Sequence, residues 1–135
     1  MYLVYILKSD NLSYVGMTND FLHRWKQHNG LLKGGAKYTS RKQNWSPVCI
    51  IDGFSNKQEA MQCEWKIKNR RCRISRKLKG AEGRIRYLDY LLNNTIKWTS
   101  RSPEMKNQQL TIFINPEYQH LLQFPSEELY WIPYN

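Results

Sequence analysis

The sequence has few acidic residues, no long apolar run and only three cysteines, and each shortage excludes a class of protein. Without a run of about 18 apolar residues, we expect no transmembrane helix. The apolar N-terminus has no basic flank before it and no small-residue cleavage site after it, so we do not interpret it as a signal peptide. The cysteines are odd in number, irregularly spaced and free of CxxC pairs. This pattern of Cys49, Cys63 and Cys72 argues against a disulfide framework or a structural zinc site, and it favours a reducing compartment.

The shortage of acids leaves the chain strongly basic. There are 21 Lys and Arg against 11 Asp and Glu, a formal net charge of +10 over 135 residues. Residues 22–86 hold 17 of the basic residues and four acids, whereas residues 103–135 hold one lysine and four glutamates. A length of this order predicts a single domain. Its concentrated positive charge indicates a polyanionic partner, most often nucleic acid.

Apolar periodicity and turn residues predict an α+β fold with a mainly antiparallel sheet covered by helices. The predicted order is strand, strand, helix, strand, helix, helix, with a further short strand near the C-terminus. The predicted strands are Tyr2–Lys8, Leu12–Met17, Pro47–Phe54 and Leu110–Ile114, and the predicted helices are Phe21–His28, Lys57–Arg70 and Gly83–Leu92.

Two polar side chains share a helical face with apolar ones in the first predicted helix. Phe21, Arg24, Trp25 and His28 have the spacing i, i+3, i+4, i+7. An Arg and a His pointing together toward the sheet form a candidate anion site. The alternative is an Arg that extends to solvent and a His that caps the helix C-terminus.

A carboxylate interrupts the apolar stripe of the second predicted helix. Glu64 is aligned with Ala60, Cys63 and Ile67 rather than with the solvent face. An ionised carboxylate there is costly unless it meets a cation. One carboxylate in basic surroundings suits a single Mg²⁺ or Mn²⁺ ion shared with phosphate oxygens. The alternative is a buried ion pair, for example with Arg24.

The two N-terminal strands each carry a tyrosine, Tyr5 and Tyr14, and Gly16 leaves room for close approach on the second strand. Taken with Arg24, His28 and Glu64, the segments LVY, YVGMTNDFLHRWKQHN, KGGAKYTS and AMQCEW resemble the GIY-YIG nuclease superfamily. The resemblance covers residues 2–115 and is closest to the Slx-type branch, which cuts flaps and junctions, and to its small bacterial relatives. It implies a small domain with a three-stranded, mainly antiparallel sheet flanked by helices.

The resemblance also implies a role for each candidate catalytic residue. Tyr5 accepts a proton from the attacking water, and Tyr14 positions water or phosphate. Arg24 clamps the scissile phosphate, and His28 assists proton transfer. Glu64 is the sole protein ligand of one Mg²⁺ or Mn²⁺ ion. The implied reaction is phosphodiester hydrolysis of branched DNA that leaves a 5′-phosphate and a 3′-hydroxyl.

Basic and aromatic residues outside this set are candidate DNA contacts, since such surfaces track a backbone and stack on unpaired bases. In the loop after the first helix, Trp45 is interleaved with them as a second stacking residue. The candidates are Lys33, Lys37, Tyr38, Arg41, Lys42, Lys66, Arg70, Arg71 and Arg73.

The sequence also departs from the relatives it resembles. The first motif lacks its glycine, Met17 stands where some branches have a lysine, and no cysteine after Cys72 is available for the zinc domain of the eukaryotic junction enzymes. We therefore divide the chain into a nuclease core, 1–94, and an extension, 95–135, that packs on the core or binds a partner. Two alternatives stay open: an inactive DNA-binding module and a sequence-specific restriction or homing nuclease. We expect an intracellular protein, nuclear or cytoplasmic, and leave open a protein scaffold or self-association.

Overall fold

A computed structural model describes residues 1–42, 44–69 and 79–131. In these residues the elements follow the predicted order strand, strand, helix, strand, helix, helix, and two further strands come after them. The strands are β1 (Tyr2–Ser9), β2 (Leu12–Thr18), β3 (Ser46–Phe54), β4 (Thr111–Ile114) and β5 (Glu127–Glu128); the helices are α1 (Phe21–His28), α2 (Lys57–Lys68) and α3 (Gly80–Asn94).

The strands form one sheet in the order β2-β1-β3-β4-β5, antiparallel except for the parallel pair β4–β5. The α+β prediction is confirmed, but the sheet has five strands rather than three. β4 lies within the predicted strand Leu110–Ile114. β5 consists of two exposed glutamates that pair through their backbone, so no apolar pattern marks it in the sequence.

Side chains alternate along β1 and cover both faces of the sheet. Val4 and Ile6 belong to the main core, which α2 and α3 cover. Tyr5 and Leu7 point to the opposite face and pack with Trp45 in a second cluster, against which Phe21 of α1 and Tyr14 of β2 also pack. The second cluster therefore contains both candidate tyrosines.

Polar caps fix both helices that carry candidate residues. The Asp20 side chain accepts a hydrogen bond from the His23 backbone and starts α1, and Asn56 caps α2 through the Glu59 backbone. At the end of α1, the Asn29 side chain holds the backbone of Trp45 at 2.6 and 3.2 Å. These two hydrogen bonds hold the start and the end of the long basic loop together.

Besides β4, which pairs with β3, two tryptophans after α3 pack against the rest of the chain. Trp98 is fully buried in the main core. The ring of Trp131 lies 5.3 Å from that of Phe21 and 5.1 Å from that of Trp25, measured between centroids, so it packs on α1. No helix in the part of the chain that the structure describes is long and apolar enough to span a bilayer.

Candidate active site

The Tyr5 side chain extends over Gly16 into the site. In the β1–β2 pair, Tyr5 lies opposite Gly16, and a Cβ built on Gly16 would overlap the Tyr5 hydroxyl oxygen. Tyr5 is 1% exposed. Burial, then the nearby Tyr14, raises the pKa of the Tyr5 phenol well above its ordinary value, although the Arg24 guanidinium lowers it. The phenol is therefore protonated at neutral pH.

His28 forms the central hydrogen bond of the site. Its Nε2 atom lies 2.7 Å from the Tyr5 hydroxyl, and its Nδ1 atom lies 2.8 Å from Oγ1 of Thr39. The side chain is buried. Burial and then the positive charge of Arg24 lower the pKa of His28 to about 4, so the imidazole is neutral at physiological pH. The sequence alternative that His28 merely caps the helix is wrong.

Arg24 is held in place rather than extended to solvent. Its Nη1 atom donates 2.8 Å hydrogen bonds to the Gln27 side chain and to the Gly34 carbonyl. Gln27 in turn donates to the Lys33 carbonyl at 2.9 Å. Both of these bonds use one nitrogen. The guanidinium also lowers the pKa of Tyr5 by a side-chain hydrogen bond and by its charge, and its charge lowers the pKa of His28. The guanidinium therefore stands beside the two residues with a fixed orientation.

Tyr14 connects the helix α1 side of the site to helix α2. Its ring centroid lies 4.8 Å from that of His28 and 6.0 Å from the stacked ring of Tyr38. The Lys68 ammonium lies 5.5 Å from the Tyr14 ring centroid. Met17 does not supply a cation beside this tyrosine, and Lys68 brings one from α2.

Glu64 pairs with Lys68 and not with Arg24, the partner considered from sequence. Glu64 Oε1 lies 3.8 Å from Lys68 Nζ, and the carboxylate side chain is 23% exposed. Burial raises the pKa of Glu64, and Lys68 opposes this shift. The Glu64 charge also raises the pKa of Tyr5, which indicates that the carboxylate faces the same site.

The donor set around Glu64 fits a hard divalent cation. Half-buried carboxylate oxygens with one loose cationic partner are ligands that Mg²⁺ and Mn²⁺ accept, with water and phosphate oxygens completing the coordination shell. Among residues 1–42, 44–69 and 79–131, no group of three or more His, Cys, Asp and Glu is arranged to hold a metal by itself. Glu64 is the one carboxylate of the predicted set, and carboxylate oxygens are the ligands that hard divalent cations prefer.

The predicted DNA contacts differ in their exposure. The four basic residues of the loop are exposed: Lys33, Lys37, Arg41 and Lys42. Lys42 Nζ lies 3.5 Å from Asp10 Oδ2, and Lys66 on α2 is partly buried. Tyr38 is 36% exposed, with the Arg41 guanidinium 5.1 Å from its ring centroid. Arg70, Arg71 and Arg73 lie outside the described residues. Trp45 is 1% exposed, so the prediction that it stacks on a base is wrong.

Trp45 is buried because its indole N–H donates hydrogen bonds to carbonyl groups of the loop. Its Nε1 atom donates to the carbonyls of Thr39 and Lys42 at 2.9 and 3.2 Å, and its own carbonyl accepts from Trp25 at 2.7 Å. An aromatic residue in a basic loop resembles a stacking platform in sequence, but here it is the anchor of the loop.

Two residues of the site were missed from sequence. Lys68 follows Glu64 by four residues, a spacing that predicts a contact on a helix. Thr39 lies in the quoted segment KGGAKYTS, but loop residues have no periodicity from which its contact with His28 could be read.

The part of the chain that carries the five candidate catalytic residues is similar to known proteins. A family model described as the GIY-YIG catalytic domain matches residues 1–78. The chain is 41% identical over 68 residues to a structure-specific endonuclease subunit slx1 of Schizosaccharomyces japonicus, 44% over 72 residues to that of Phaeosphaeria nodorum and 40% over 73 residues to that of Schizosaccharomyces pombe. These matches cover 47–50% of this chain but only 20–27% of each relative. The chain therefore spans about a quarter of the length of these relatives.

Proposed function

The chain belongs to the GIY-YIG family, and from this premise we propose that it is an endonuclease that hydrolyses phosphodiester bonds of branched DNA. The observation that carries the proposal is the convergence of five side chains from four elements. Tyr5 and Tyr14 come from the sheet, Arg24 and His28 from α1, and Glu64 from α2. An inactive DNA-binding module has no reason to keep a half-buried carboxylate beside two tyrosines, because that burial is costly.

The proposed chemistry begins with a proton transfer along a buried pair. Tyr5 is protonated and His28 is neutral at physiological pH, and 2.7 Å separates their polar atoms. As the Tyr5 proton passes to Nε2 of His28, the phenol oxygen takes a proton from the attacking water. The water oxygen then bonds to phosphorus, the bond to O3′ breaks, and O3′ takes a proton from solvent. The His28 imidazolium releases its extra proton to solvent, which restores the neutral pair. The products carry a 5′-phosphate and a 3′-hydroxyl.

In this proposal the positive charge beside the phosphate comes from Arg24 and from a cation that Glu64 binds. The anchored Arg24 guanidinium binds the scissile phosphate and stabilises the charge that builds in the transition state. Glu64 would hold one Mg²⁺ or Mn²⁺ ion, which would supply further positive charge beside the phosphate. Tyr14, beside His28 and Lys68, positions the water or the phosphate by its hydroxyl.

The surface around the site supports DNA as the substrate. Four basic residues of the loop contact the DNA backbone: Lys33, Lys37, Arg41 and Lys42. The exposed Tyr38 ring is the one loop aromatic available to an unpaired base. We add Lys66 from α2 and, on their charge alone, Arg70, Arg71 and Arg73. Phosphate contacts of this kind give a steep fall of affinity with salt.

Selectivity for branched DNA is supported by the names of the relatives, which are structure-specific endonuclease subunits. We propose that residues 1–94 form the nuclease core and that the described part of the extension, residues 95–131, packs on it, since Trp98 is buried in the main core and β4 pairs with β3. The word subunit refers to assembly in those relatives, and we propose that this chain also works with a protein partner. We further propose that the chain acts inside the cell, in the nucleus or the cytoplasm, wherever its DNA substrate is.

The test is incubation of the purified chain with labelled flaps, four-way junctions and plain duplex, with Mg²⁺, Mn²⁺ or EDTA. We expect metal-dependent nicking of flaps or junctions with the duplex intact, and no nicking by Glu64→Gln. Cutting at one duplex sequence would replace this proposal with a sequence-specific nuclease. Binding without cutting, under either metal and with cell extract added to supply a partner, would replace it with the DNA-binding module.

A further inference from the structure

Thr39 has no assigned role, yet its side chain is completely buried against the candidate site. The residue is 0% exposed. Its Oγ1 atom lies 2.8 Å from Nδ1 of His28 and 3.0 Å from the carbonyl oxygen of Ala36. The hydroxyl therefore stands between an imidazole nitrogen and a backbone acceptor.

The direction of both hydrogen bonds follows from counting hydrogens. A carbonyl oxygen only accepts, so the single Thr39 hydroxyl hydrogen is donated to Ala36. Oγ1 then has only lone pairs to offer His28, and Nδ1 must carry the hydrogen of that bond. In a neutral imidazole the other nitrogen, Nε2, is then an acceptor. Nε2 is the atom that lies 2.7 Å from the Tyr5 hydroxyl.

The loop holds Thr39 in this position from several sides. The Thr39 carbonyl accepts a 2.9 Å hydrogen bond from the Trp45 indole. Arg24 and Gln27 bind the carbonyls of Gly34 and Lys33, which fixes the backbone before Ala36 against α1. The acceptor of the Thr39 hydroxyl is thus as constrained as the hydroxyl itself.

We propose that Thr39 is a positioning residue that holds His28 in the Nδ1–H tautomer, so that Nε2 is free to take the Tyr5 proton. The catalytic consequence rests on the proposed nuclease function, whereas the tautomer itself does not. With the opposite tautomer, Nε2–H would point at the Tyr5 oxygen, and the neutral ring would have no lone pair there to receive the proton. Thr39 therefore sets the direction of proton transfer without touching the substrate.

The first measurement needs no DNA. Long-range ¹H–¹⁵N correlation NMR on ¹⁵N-histidine protein distinguishes the two neutral tautomers, and the exposed His23 and His120 are internal references. At pH 7.5 we expect His28 to be the Nδ1–H tautomer in the wild type and in Thr39→Ser, which keeps the hydroxyl. Thr39→Val keeps the shape but loses the acceptor, and we expect it to shift His28 toward Nε2–H.

Two outcomes would overturn the proposal. One is an Nε2–H tautomer in the wild type, which is measurable even if Thr39→Val does not fold. The other is an unchanged Nδ1–H tautomer in folded Thr39→Val.

Kinetics then tests the consequence. We expect Thr39→Val to lower kcat on a flap about tenfold or more with little change in KM, and Thr39→Ser to restore most of it. Equal kcat in both variants would overturn the catalytic role. If no variant and no wild-type protein cuts any DNA, the proposed function fails while the NMR result stands by itself.

Discussion

The Tyr5 hydroxyl and Nε2 of His28 lie 2.7 Å apart in a buried pair that joins β1 to α1. Burial changes the pKa of both groups in directions that keep the pair neutral: it raises that of the phenol and lowers that of the imidazole to about 4. A neutral pair is the cheaper form in a desolvated site. Tyr5 therefore loses its proton to His28 only when the reaction makes the transfer favourable. An anionic phosphate would do so, because it stabilises the imidazolium that the transfer creates.

The lowered pKa of His28 predicts a loss of stability in mild acid. In the unfolded chain His28 takes up a proton near pH 6.5, whereas the folded protein resists until about pH 4. The unfolded state binds more protons in this window, so the free energy of unfolding falls as the pH drops from 6.5 to 4, by on the order of 3 kcal/mol. Urea unfolding at several pH values measures it.

His28→Gln is the variant that isolates this effect. Glutamine keeps an acceptor for Tyr5 and does not titrate, so the fall between pH 6.5 and 4 should be smaller in the variant. His23→Gln, an exposed histidine on the same helix, is the matched control and should keep the wild-type slope. Parallel slopes for the wild type and His28→Gln would contradict the buried neutral imidazole.

Arg24→Lys should lower kcat on a flap by about 100-fold or more, because an ammonium does not reproduce the orientation of the guanidinium toward the phosphate. Arg24 also binds Gln27 and the Gly34 carbonyl, so thermal unfolding must accompany the kinetics. Lys26→Arg, on the same helix, is the control for exchanging one cationic side chain for the other and should cut like the wild type. A loss under threefold for Arg24→Lys would mean that the orientation of the guanidinium is not required for cutting.

Much of this fold could be predicted because its signals are local. α1 has the predicted bounds Phe21–His28, and Arg24 and His28 meet the site because residues four apart share a helical face. Glu64 was recognisable since a carboxylate on the apolar stripe of α2 must have a partner. Such arguments need only the sequence within one element.

The rest depends on contacts between elements, which leave no periodic pattern. Thr39 meets His28 only because side chains of α1 bind loop carbonyls. Trp45 is buried because its indole donates to two of those carbonyls. The two glutamates of β5 join the sheet by backbone bonds alone, so their side chains carry no strand signal.

Glu64→Gln should abolish metal-dependent cutting while flap binding persists, because the amide removes the charge that attracts the cation. Folding stability at neutral pH should be equal or higher in this variant. Burial raises the pKa of the Glu64 carboxyl, which means that the ionised form is disfavoured in the folded state. Nicking assays, binding assays and melting temperatures measure the three quantities.

Glu59→Gln on the same helix is the control for Glu64→Gln, since its carboxylate lies in the first turn of α2. It should leave cutting unchanged. Full cutting by Glu64→Gln would exclude Glu64 as the metal ligand, and a lower melting temperature would mean that the Lys68 pair stabilises the fold more than burial costs.

Gly16→Ala should displace Tyr5 from His28, because the added Cβ overlaps the Tyr5 hydroxyl oxygen. Overpacking of this kind costs about 1–3 kcal/mol. We expect a lower free energy of unfolding by that amount and a larger fractional loss of kcat. Wild-type values of both would show that Tyr5 has another position available and that the glycine is not required for the pair.

Tyr38→Ala should weaken binding to flaps about tenfold or more. The affinity for a nicked duplex, which has no unpaired bases, should hardly change. A base stacked on an aromatic ring contributes about 1–3 kcal/mol, and Tyr38 is the loop aromatic that is exposed. Tyr38→Phe keeps the stacking surface and should bind like the wild type, which separates stacking from any hydrogen bond of the phenol. Because Tyr38 also stacks on Tyr14, a fall in kcat at unchanged affinity would instead mean that its ring supports Tyr14 and does not contact DNA.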